Sequence, residues 1–101
     1  MTRLVDIARV VRSKNAGPTL VTIDLMFNDE AGFRRAAQSP ELSASAIAAR
    51  YGVAVETVQV IPYPPAHAMK IVLDRPMVAG DPGDGDVYGA QQHGPLLDLE
   101  L

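Results

Sequence analysis

The run from Thr19 to Phe27 constrains this chain most. Val21, Ile23, Leu25 and Phe27 share one face of an extended segment, and Leu20, Thr22, Asp24 and Met26 share the other. The first face is core. The second carries a carboxylate in its middle, and two readings of Asp24 stay open. It is either a buried, perturbed carboxylate or a member of the solvated face that an antiparallel sheet ordinarily leaves uncovered.

Around this strand the pattern turns helical and then extended again. Asn28 is placed to cap a helix whose first turn holds Asp29 and Glu30, with Phe33, Ala36 and Ala37 as its apolar stripe. Ser39-Pro40-Glu41 is a second start signal, Ser43 a rival cap, and Gly52 a left-handed stop behind Ile47, Ala48 and Tyr51. Thr57 to Tyr63 and His67 to Leu73 read as strands, the first ending early or lying at an edge because Pro62 removes a donor. His67, Met69, Ile71 and Leu73 face one way in the second, and His67 reads as a packing residue rather than a ligand. Residues 3–11 fit both templates: Leu4, Ile7, Ala8 and Val11 keep helical spacing, while Val5, Ile7 and Val11 alternate. Residues 76–95 form a Gly-, Pro-, Asp- and Gln-rich loop, after which Leu97, Leu99 and Leu101 alternate as a closing strand. Helices in the middle and strands at both ends predict an α+β two-layer sandwich, a mainly antiparallel sheet with two helices on one face.

Composition narrows the partners. The chain has 101 residues, 48% hydrophobic and 21% charged, which predicts a single domain over residues 1–101 with its own core. The net charge of −3 and the scattered Lys and Arg argue against nucleic acid, which needs a basic stripe. No apolar run approaches the ~20 residues of a membrane helix. Met1-Thr2-Arg3-Leu4-Val5-Asp6 lacks the apolar stretch of a signal peptide, and there is no cysteine, so a cytoplasmic location is expected.

Two polar stretches concentrate the groups that bind or react. Arg12-Ser13-Lys14-Asn15-Ala16-Gly17 reads as a loop that can cradle an anion, Arg12 offering a planar fork and turn amides adding donors. Arg12, Ser13, Lys14 and Asn15 are its candidate ligand-binding residues. Gly80 to His93 gathers three carboxylates, an imidazole, a phenol and two amides around glycines that admit close approach. Asp84, Asp86 and His93 are its catalytic candidates, and Tyr88, Gln91 and Gln92 its ligand-binding ones. The two loops are expected to meet at one edge of the sheet. No metal and no cofactor is expected, since Asp84 and Asp86 lack a third ligand at defined spacing.

These same residues carry a resemblance. Arg12-Ser13-Lys14-Asn15-Ala16-Gly17-Pro18 with Thr22-x-Asp24-x-x-Phe27, then Tyr51-Gly52-Val53, then Gly83-Asp84-x-Asp86-Val87-Tyr88-Gly89-Ala90-Gln91-Gln92-His93 and Pro95-Leu96-Leu97-Asp98 resemble a small bacterial and archaeal family of unknown function. Its members are encoded beside acyclic terpene utilisation protein A-like proteins, whose C-terminal domain is ferredoxin-like. That tail has an Arg-Ser-Gly-Asp-Lys-Gly loop and ends Leu-Leu-Asp-x-Glu. Here Arg12, Ser13 and Gly17 flank Lys14-Asn15-Ala16, and the end reads Leu96-Leu97-Asp98-Leu99-Glu100. The resemblance implies a ferredoxin-like fold, favours a strand for residues 3–11, and assigns no catalytic residue.

The resemblance further implies an accessory subunit of an acyclic terpene utilisation protein A-like complex, handling a small carboxylate or acyl-CoA in catabolism. Its partner is then the large subunit, with homo-oligomerisation as the fallback. The rival readings are a small stand-alone lyase or hydratase with Asp84, Asp86 or His93 as base, and a ligand-binding homo-oligomer.

Overall fold

Four strands build one antiparallel sheet in the order β1-β2-β4-β3: β1 is Ala8–Asn15, β2 Leu20–Phe27, β3 Gln59–Tyr63 and β4 Ala68–Asp74. The computed structural model describes residues 3–16, 19–74, 96 and 99–101. A one-turn helix α1 (Leu4–Ile7) precedes β1, and helices α2 (Glu30–Gln38) and α3 (Ala44–Tyr51) fill the connection from β2 to β3. That connection leaves β2 and β3 parallel with β4 between them, the split arrangement found in ferredoxin-like folds. The result is an α+β two-layer sandwich.

The alternation in β2 decides which face the helices cover. Val21, Ile23 and Leu25 are fully buried and Phe27 nearly so. Register brings Leu73, Ile71 and Met69 of β4 opposite Val21, Ile23 and Leu25, extending the apolar face. Phe33 and Ala36 of α2 and Ile47 and Ala48 of α3 close over it in one core cluster. Phe27 and Phe33 meet edge to face at 6.3 Å between ring centroids.

Local chemistry sets the helix ends. Asp29, not Asn28, caps α2: its carboxylate accepts from the Gly32 N–H at 2.8 Å. The Asn28 N–H instead donates to the Ile7 carbonyl, tying α1 to the end of β2. Ala37 falls on the exposed side of α2, leaving Phe33 and Ala36 as the covered pair. Ser39 caps a 3-10 turn at Pro40–Leu42, and Ser43 caps α3 by accepting from the Ala46 N–H. Gly52 ends α3 at φ 68°, a left-handed conformation that costs glycine little.

Several boundaries differ from the pattern-based expectation. Residues 3–11 divide between the two templates: Leu4 buries in the core from a helical turn, and extended pairing begins at Ala8, with a bulge before Val10. The strand expected from Thr57 starts at Gln59, because Val55–Thr57 is a 3-10 turn whose Thr57 hydroxyl donates to the Ala54 carbonyl. β3 lies at the sheet edge and stays paired through Pro62 to Tyr63, the second of the two arrangements that Pro62 allowed. His67 is not the first residue of β4 but a left-handed turn residue (φ 50°), its ring tilted against Phe33 at 6.4 Å. At the C-terminal end Leu96 and Leu99 are the buried pair, joined by a Leu99 N–H to Leu96 carbonyl bond, which is a turn's spacing rather than a strand's. Leu97 and residues 76–95, expected as a loop, lie outside the described residues.

Candidate functional site

A second face of the sheet remains, and its composition follows from the pleat. Side chains directly opposite in the register share a face. Arg12 pairs with Asp24, Asp24 with Lys70, and Lys70 with Ile61, so these four form one row across all strands. Val10, Met26, Ala68 and Tyr63 form the row on one side of it, and Lys14, Thr22, Val72 and Gln59 the row on the other. None of these belongs to the face that α2 and α3 cover.

This open face combines charge with apolar surface. The Arg12 Nε donates to an Asp24 carboxylate oxygen at 3.3 Å. The Asp24 side chain is only 16% exposed, and that of Arg12 62%. Asp24 thus stands between the two earlier readings: on the open face, largely covered, and ion-paired. Ile61 and Tyr63 are 45% and 59% exposed, unusually high for large apolar side chains in a strand. A groove of about 320 Å³ lies among Asp24, Met26, Ile61, Tyr63, Ala68 and Lys70.

The polar stretch expected as a loop at Arg12–Gly17 is mostly strand. Pairing of β1 with β2 continues to Asn15 opposite Val21, and the Ala16 N–H reaches the Leu20 carbonyl at 3.0 Å. Once those residues pair, the pleat separates them. Arg12 and Lys14 stand on the open face, whereas Ser13 is buried and Asn15 half-buried on the helix-covered side. The four candidate ligand-binding side chains therefore do not converge. Asp84, Asp86 and His93, together with Tyr88, Gln91 and Gln92, lie outside the described residues, as does the expected meeting of the two loops.

Lys70, Met26, Ile61 and Tyr63 are the site residues that sequence reasoning did not single out. The alternation in β4 already set Lys70 apart from Met69 and Ile71, but only the register brings it beside Asp24. Among the described residues no group of three His, Cys, Asp or Glu side chains can hold a metal ion. No described helix is long and apolar enough to cross a membrane.

Neither the curated proteins nor the solved structures contain a match to this chain. Residues 4–100 match the family described as Domain of unknown function (DUF4387), and the chain belongs to that family.

Proposed function

We infer that the chain is an accessory subunit of an acyclic terpene utilisation protein A-like complex that handles a small carboxylate or acyl-CoA in catabolism. The reading starts from the resemblance in the polar motifs. The observation that carries it is the sheet face that no described helix covers, where Ile61 and Tyr63 are exposed beside Met26 and Lys70. Contiguous exposed apolar surface of this kind marks interaction or ligand sites, and ligand sites favour the places where subunits meet. The cysteine-free composition is in keeping with a cytoplasmic location. Should no large subunit be found, a symmetric homo-oligomer is the next assembly to look for.

Co-expression with a tagged acyclic terpene utilisation protein A-like large protein, followed by size exclusion with light scattering, tests the proposal. The two chains are expected to elute together with a defined stoichiometry. A strict monomer that ignores the large protein and turns over an acyl substrate alone would overturn it.

A further inference from the structure

Two adjacent rows of the open face differ in kind. Asp24, Lys70 and Ile61 stand in one, Met26, Ala68 and Tyr63 in the next, and the groove of about 320 Å³ spans both. That volume sits at the low end of the ~300–1,000 Å³ of small-molecule sites. The register sets Asp24 beside two cations, Arg12 and Lys70, yet its carboxylate takes Arg12, at 3.3 Å. Lys70 is exposed, and its ammonium has no ion-pair or hydrogen-bond partner among the described residues. Among the described residues, an unpaired cation therefore adjoins a small apolar groove whose one carboxylate is already ion-paired.

We propose that this groove binds a short-chain monocarboxylic acid as the free anion, with Lys70 taking the carboxylate and Met26, Ile61 and Tyr63 the hydrocarbon. The proposal rests on the functional reading above for the ligand's general class and adds the site, the residues and the charge state. Rows on one face lie two residues apart, about 6.6 Å along the strands. A chain of a few carbons anchored at Lys70 reaches across that interval to Met26 and Tyr63. An amine is disfavoured because Asp24 is engaged by Arg12. A second copy of this face is disfavoured by charge: among its described residues Arg12, Lys14 and Lys70 outnumber Asp24 and Asp74, so like charges would meet. A coenzyme A thioester presents no carboxylate at its acyl end for Lys70 to hold.

Heteronuclear NMR titration of the full chain with hexanoate, hexanamide and hexanoyl-CoA tests this without any partner. Hexanoate is expected to shift the backbone amides of Lys70, Ile61 and Tyr63 saturably, and hexanamide to bind ~3–10-fold more weakly. Lys70→Met should lose hexanoate affinity by a similar factor. Asp24→Asn should gain it, since the change releases Arg12 from its ion pair and leaves the face more positive. Lys70 is an exposed strand residue and Asp24→Asn preserves shape, so both variants retain the fold. Equal binding of acid and amide, shifts confined to the helical face, weaker binding by Asp24→Asn, or saturation by hexanoyl-CoA without hexanoate would each overturn the proposal. Co-elution with the large protein does not depend on these outcomes, so either idea can fail alone.

Discussion

Asp24 and Tyr51 illustrate how one side chain's surroundings set its chemistry. Asp24 is largely covered on the face opposite the helices, where Arg12 lies directly across the strand pair and ion-pairs with it. An ion pair with one exposed member adds at most ~1 kcal/mol, so its value lies in choosing which cation stays free rather than in stability. Tyr51, on the last turn of α3, packs partly against the core. Burial disfavours its phenolate and pushes its pKa well above the ordinary value, with Arg50 opposing more weakly. Above about pH 10 the unfolded chain gives up this proton first, so it binds fewer protons than the folded chain and stability falls as pH rises. Below that pH the contribution is fully present. Urea midpoints should therefore decline as the pH rises above about 10, and Tyr51→Phe should remove part of the decline. A variant with the full wild-type decline would show that another group causes it.

Elements depend on their ends and on the pleat. α2 has nine residues and begins at Asp29, whose carboxylate satisfies the Gly32 N–H and sits at the positive end of the helix. Asp29→Ala is expected to lower unfolding free energy by about 1 kcal/mol, whereas Asn28→Ala stays within about 0.5 kcal/mol. Urea denaturation of the two variants distinguishes them; equal losses would remove Asp29 as the cap. The residues of this helix start were legible, since acidic and amide residues preceded a helical stripe. The choice between Asn28 and Asp29 was not, because the Asn28 N–H bonds to Ile7, a residue of α1 far from it in the sequence pattern. Likewise the polar character of Arg12–Asn15 suggested a loop, but pairing with β2 overrides that preference as long as partner groups are available.

At the scale of the whole molecule, the two ends of the described chain close the core together. The Leu4 N–H donates to the Leu99 carbonyl at 2.9 Å, and Arg3 bridges to Glu100. Leu4, Leu96 and Leu99 are buried with β2 and β4 in the same cluster. Leu99→Ala should therefore cost ~2–5 kcal/mol, the range for a buried leucine whose site cannot fully collapse. That is a large part of the ~5–15 kcal/mol typical of a domain. Leu101, only half-buried, should cost distinctly less when truncated. Equal denaturation midpoints for Leu99→Ala and the unaltered chain would mean that the C-terminal turn does not belong to the cooperative core.

The sequence by itself determined the α+β class, the buried face of β2, the helical middle and the stop at Gly52, and through Pro62 it limited β3 to a short or an edge strand. These are written in periods of two and of about 3.6 residues and in single-residue backbone preferences, all of which act locally. Only the tertiary structure decided what stands next to what. The order β1-β2-β4-β3 lays Arg12, Asp24, Lys70 and Ile61 in a row, although they come from four separate segments. It also separates Ser13 and Asn15 from Arg12 and Lys14, their neighbours in sequence. Register across strands follows from which faces must be buried together. That requirement belongs to the assembled sheet and its helices, and no single segment carries it.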